Sequence, residues 1–169
     1  MANTPADESD ILDRVNIYCR KLLFKPSYNV ERRAVIRLTN PSERTISFKV
    51  KTTRLLLLYT KPSYGTVKPR RGIYIQVVFQ KLRGDFDLRP DRLTICLCLV
   101  PRGKEKLRAS KLWKTYTPRV MRRYTIDVEY DRAIEGTPPP PVPPPPPVPT
   151  TGRPKKKEAE DEEVEEDAE

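Results

Sequence analysis

Histidine is absent from the 169 residues, and glycine, with six, is scarce. Without an imidazole there is no Ser-His or Cys-His pair, no histidine base and no histidine metal ligand. Six scattered glycines supply neither a phosphate-cradling loop nor a nucleophile elbow. Three cysteines, an odd and small number, build no secreted disulfide framework and no closed zinc site. Cys96 and Cys98 share one face of a strand at about 7 Å, which suits no bridge between them. No run reaches the roughly 18 apolar residues of a membrane span, and MANTPADESD lacks the basic and apolar regions of a signal peptide. Asp85 and Asp87 lie in a loop with no partner that would tune them for acid-base work. The expectation is a cytoplasmic protein that is not an enzyme, with no catalytic residue, no metal and no cofactor.

Proline and charge are present in quantity and unevenly placed. Eleven of the nineteen prolines fall between Pro138 and Pro154. Residues 1 to 136 hold 29 Lys and Arg against 14 Asp and Glu, a net +15; residues 137 to 169 hold 4 against 9, a net −5. A body so basic calls for an acidic partner. Composition therefore predicts a disordered N-terminus over 1–14, one folded domain over 15–136, a stiff polyproline linker over 137–154 at about 3 Å per residue, and a charged disordered tail over 155–169.

Within 15–136 the apolar residues alternate with polar ones, the period of strands with one buried face. Ala34, Ile36 and Leu38 form one such set, Ile46, Phe48 and Val50 another. Ile73, Ile75, Val77 and Phe79 follow, then Leu93, Ile95, Leu97 and Leu99, then Ile126, Val128 and Tyr130. Turn signals such as Asn40-Pro41-Ser42, Pro62-Ser63-Tyr64-Gly65 and Arg89-Pro90-Asp91 separate them. About seven short strands with no helix-period segment between them predict an all-β, immunoglobulin-like, seven-stranded antiparallel sandwich. One run breaks the alternation. Leu55, Leu56, Leu57 and Leu58 cannot all face inward, so this strand is either covered on both sides or leaves two leucines as an adhesive edge.

The residues Asn40-Pro41-Ser42, Phe48-Lys49-Val50-Lys51-Thr52-Thr53, Pro62 and Gly65 resemble the major sperm protein (MSP) domain of nematode major sperm proteins and VAMP-associated proteins. Asp91-Arg92-Leu93-Thr94-Ile95, Trp113, Val120-Met121-Arg122-Arg123 and Val128-Glu129-Tyr130 extend the resemblance, which covers about residues 15 to 131. The ending is closer to the sperm-protein branch. That branch implies a non-enzymatic cytoskeletal component whose dimers polymerise into filaments, with Leu55, Leu56, Leu57 and Leu58 as self-association candidates and the cytoskeleton as its place. The other branch implies an adaptor that captures acidic FFAT peptides, phosphorylated ones included, and its groove maps onto Lys49, Lys51, Thr52, Thr53, Arg92 and Thr94. Parity agrees in part, since Lys49 and Lys51 share one strand face and Arg92 and Thr94 another. Against those positions stands the ordinary reading that Lys and Arg only solvate an outer sheet face. Two departures alter the groove: Thr94 replaces the family's Met, and Leu56 and Leu57 replace two basic residues.

Two further partners are weighed. The tract 138–149 suits docking on the aromatic grooves of polyproline-binding domains, although a spacer role ranks above it. Lys111, Lys114, Arg119, Arg122 and Arg123 interleave with Trp113, Tyr116 and Tyr124 in the manner of single-stranded nucleic-acid binders. Because the same aromatics occupy structural positions of the resembled family, nucleic acid ranks last.

Overall fold

A computed structural model describes residues 3 to 148. Nine strands form two sheets: β1 Asn16–Ile17, β2 Lys21–Phe24, β3 Arg32–Thr39, β4 Ile46–Thr52, β5 Leu58–Lys61, β6 Tyr64–Val67, β7 Gly72–Phe79, β8 Asp91–Leu99 and β9 Arg122–Tyr130. The four-stranded sheet runs β1-β3-β7-β5 and the five-stranded sheet β2-β9-β8-β4-β6. Every neighbouring pair is antiparallel except β2 with β9. The fold is thus an all-β, immunoglobulin-like sandwich. Its count exceeds the expected seven because a two-residue β1 edges one sheet and β6 forms where only a turn after Pro62 was expected.

The alternation read from the sequence is the one that packs. Ile36, Leu38, Ile75, Val77 and Phe79 from one sheet meet Ile46, Phe48, Leu93, Ile95, Ile126 and Val128 from the other, all buried. Phe48 is worth about 2 to 3 kcal/mol by its buried area. Gly65 makes room for it. A Cβ on Gly65 would stand 2.5 Å from the Phe48 ring, so this glycine serves close packing inside β6 and not the turn assigned to it. Asn40, 1% exposed, ties its corner: its amide donates to the carbonyls of Arg44, Val67 and Lys68, while its oxygen accepts from Ser42.

Residues 3–14 depart from the disorder expected over 1–14. A helix, α1, runs Pro5–Asp13. Thr4 caps it, accepting from the Asp7 amide while the Asp7 carboxylate accepts from the Thr4 amide, and Pro5 opens the first turn. Leu12 is buried, and α1 packs on β8 and β9. Polar composition hid a helix that is held by buried Leu12, by half-buried Ile11 and by distant arginines. A second short helix, α2 Ala109–Thr115, stands between β8 and β9 where no helix was expected; seven residues are too few to display a helical period.

The leucine run is not a strand. Leu55 to Leu57 form a turn closed by the Leu58 amide donating to the Arg54 carbonyl at 2.8 Å, and β5 begins only at Leu58. Leu58 alone is fully buried; Leu55 and Leu56 are 75% and 86% exposed. The chain divides into two units between Pro139 and Pro140. Residues 140 to 148 carry neither helix nor strand. The rest of the expected linker, the last residue of the polyproline docking tract and the charged tail over 155–169 lie outside the described residues. No helix among the described residues is long and apolar enough to cross a membrane.

Candidate functional site

The outer face of the five-stranded sheet is built by the residues that alternate with its core. Ladder register brings Lys51 opposite Thr94 and Lys49 opposite Cys96. On the far side of β8, Arg92 pairs with Asp127, Thr94 with Thr125, and Cys96 with Arg123. The face therefore carries four cations, Lys49, Lys51, Arg92 and Arg123, on three adjacent strands. Among the described residues none of the four lies within ion-pair distance of a carboxylate.

The two helices cover one end of this face and leave the other open. Trp113 of α2 donates its indole N–H to Ser47 Oγ at 3.0 Å, and Lys49 Nζ sits 4.9 Å from the centre of the Trp113 ring. Packing of α1 on β8 seals the opposite strip, where Cys96 and Cys98 are 1% exposed. Burial, with a smaller push from Cys96, raises the Cys98 thiol to about 12. These thiols are inert packing, and the Lys51, Arg92 and Arg123 side of the sheet stays in water.

The six expected groove residues divide accordingly. Lys51, Arg92 and Thr94 stand together on the open half. Lys49 lies at its border, engaged with Trp113. Thr53 is committed to structure: its hydroxyl donates to Asp91 Oδ1 at 2.9 Å and accepts from the Arg92 amide at 3.0 Å. Thr52 shares the parity of Phe48 and Val50, so it points to the inner side, where its hydroxyl accepts from the Arg54 amide. Sequence reasoning named Arg123 in the family ending and among nucleic-acid candidates but not in the groove, and missed Thr125; both extend the face across β9. The alternation of Arg123, Thr125 and Asp127 with Tyr124, Ile126 and Val128 carried that signal. It also missed Asp127 and Glu129, the acids that edge the patch; Glu129 pairs with Lys21 at 2.7 Å.

Beneath this face lies a buried polar knot. Asp91, 8% exposed, accepts from Arg54 Nε at 2.6 Å, from the Tyr130 hydroxyl and from Thr53. The Arg54 guanidinium also lies over the rings of Phe86 and Tyr130. Burial and the bond to Asp91 push the Tyr130 phenol well above its ordinary value. The knot fixes where β4 ends and β8 begins, and so sets the spacing of Lys51 and Arg92.

The interleaved cations and aromatics between Lys111 and Tyr124 do not form one free surface. Arg119 pairs with Glu8 and Arg122 with Asp13, both on α1, while Trp113 is tied to Ser47.

Comparison with known proteins agrees with the architecture. The family model for the MSP (Major sperm protein) domain matches residues 14–118. Vesicle-associated protein 1-4 of Arabidopsis thaliana is 30% identical over 104 residues, which are 60% of this chain and 17% of that protein's length. In fold, the chain is similar to WR4, a C. elegans MSP family member, with a TM-score of 0.56 at 14% identity, covering 69% of this chain and 97% of that one. It is also similar to SSP-19, an MSP-domain protein like family member of Caenorhabditis elegans, with a TM-score of 0.51 at 16% identity, covering 66% and 92%.

Proposed function

The chain belongs to the MSP domain family, and from that premise we propose that it is a non-enzymatic adaptor holding acidic peptide segments of other proteins, of the FFAT type, on the open half of its five-stranded sheet. One observation carries the reading: Lys51, Arg92 and Arg123 stand on one exposed face with half-buried Lys49 at its border, and among the described residues no carboxylate lies within ion-pair distance of them. Cations left unpaired on a flat sheet offer charge-assisted hydrogen bonds to an extended acidic or phosphorylated segment. Such a protein works in the cytoplasm, where its free cysteines stay reduced.

The test is a titration of the full chain with plain and phosphorylated acidic peptides. Lys51→Glu and Arg92→Glu each weaken binding by about tenfold or more. Unchanged affinity in both variants refutes the adaptor reading.

A second reading is assembly into dimers and filaments on the cytoskeleton. It is favoured by the adjacent exposed side chains of Leu55 and Leu56. Because these stand on a turn and not on a free strand edge, they offer a contact patch without a backbone ladder. The peptide face is accordingly preferred.

A further inference from the structure

The outer face of the four-stranded sheet is the second broad surface of the sandwich, and ladder register sorts its outward side chains into rows. Arg37 of β3 pairs with Tyr74 of β7. On its other side stands Tyr18, whose amide donates to the Arg37 carbonyl at 3.0 Å and whose ring centre lies 5.7 Å from the Arg37 guanidinium. The next row carries Val35, Gln76 and Lys61; the third carries Arg33 and Tyr59. Lys61 Nζ lies 5.5 Å from the centre of the Tyr59 ring. Rows follow one another at about 7 Å, two residues of strand rise. Tyr18 and Tyr74 are 61% and 67% exposed. Strands β1, β3, β5 and β7 contain no Asp or Glu. Glu31, just before β3, pairs with Arg33, and among the described residues neither Arg37 nor Lys61 has a carboxylate within ion-pair distance.

We propose that this face binds single-stranded nucleic acid, with bases stacked on the exposed rings of Tyr18 and Tyr74 and the phosphates met by Arg37 and Lys61. The two rings stand on β1 and β7 with β3 between them, about 10 Å apart at the backbone. That is too far for one base to cover both, so each ring is a separate platform, and Arg37 lies between them where the linking phosphate passes. Charge favours a polyanion: residues 1 to 136 carry a net +15 (29 − 14), and no acid in the four strands opposes it. The same charge repels a second copy. Charge alone would suit an acidic peptide equally, and the rings decide against it, since every base presents a π-face and a carboxylate does not. Bases paired in a duplex are closed to such rings, so the single strand is the form selected. The surface is distinct from the stretch between Lys111 and Tyr124, whose Arg119 and Arg122 are held by α1. It also lies on the opposite sheet from the peptide face, so neither site depends on the other.

Labelled oligothymidylate and oligouridylate of about fifteen nucleotides are titrated into the full chain by fluorescence anisotropy. Tyr18→Ala combined with Tyr74→Ala leaves every charge in place and weakens binding of both by about thirtyfold. Tyr18→Phe with Tyr74→Phe keeps the rings and stays within about twofold of wild type. Arg37→Ala lowers the slope of log affinity against log salt by about 0.7, the share of one phosphate on a single strand. A urea midpoint for the alanine pair equal to that of wild type shows that the loss is one of contact and not of fold. Equal affinity of wild type and the alanine pair overturns the proposal and leaves only attraction by net charge. No binding of either oligonucleotide at about 50 mM salt overturns it as well. A loss caused by Lys51→Glu and not by the tyrosine pair places the nucleic acid on the five-stranded face and overturns it. An acidic peptide whose affinity falls in the alanine pair while that of the oligonucleotides does not assigns the face to a protein instead.

Discussion

Asp91 shows how one carboxylate can serve both fold and site. It is nearly buried, and it is satisfied by Arg54, Tyr130 and Thr53 at once. Removing one partner of a buried pair leaves the other charge without compensation, which costs far more than an exposed pair is worth. Asp91→Ala therefore lowers stability by about 3 kcal/mol, read as a shift in the urea midpoint at unchanged slope. Tyr130→Phe, which keeps the ring and loses one hydrogen bond, costs about 1 kcal/mol. A loss in Asp91→Ala no larger than in Tyr130→Phe contradicts the buried knot. The Asp-Arg-Leu-Thr-Ile run was legible as a strand and as a family feature. The role of its first residue was not, because its partners Arg54 and Tyr130 lie 37 and 39 positions away. Arg92 and Thr94 could be placed by parity alone. Thr52 could have been placed inside by the same rule, and the family resemblance overrode it.

Helix α1 is the element that the sequence concealed, and it is the one most exposed to pH. Asp13 is held below the usual carboxylate range by its hydrogen bond from Arg122, and Asp7 by the Thr4 hydroxyl and amide. A carboxylate whose value is depressed on folding contributes fully above its unfolded value, 3.8 for both. That contribution is lost as pH falls through the lower folded value. Acidification below about 3.8 thus loosens α1 from β8 and β9, seen as faster amide exchange over 6–13 before the strands exchange. Asp13→Asn brings the same loosening to neutral pH. Simultaneous exchange of helix and strands at every pH would show instead that α1 is part of the sandwich's single cooperative unit. The strands were readable because a period of two is local. Helix α1 was not, since Leu12 is its one buried residue and its arginine partners lie more than a hundred positions away. The leucine run misled for a related reason: apolar content suggested a strand, while the turn closed on Arg54 leaves only Leu58 to the core.

For the whole molecule, net charge separates the two functional readings by the sign of their salt dependence. A body of +15 draws acidic segments and repels its own copies. Raising salt from about 50 to about 500 mM shortens the Debye length from about 14 to about 4 Å and screens both effects. Peptide binding at the cationic face must then weaken, by about tenfold, because attraction to unpaired exposed cations is its main source. Association through Leu55 and Leu56 must strengthen under the same change, since it is apolar contact opposed by like charge. The expected result is falling peptide affinity alongside a sedimentation coefficient that stays monomeric across the series. Growth of a dimer or polymer with salt, abolished by Leu55→Ser with Leu56→Ser, would transfer the principal role to assembly. Peptide affinity that ignores salt would leave the four cations with no function beyond solvating the sheet.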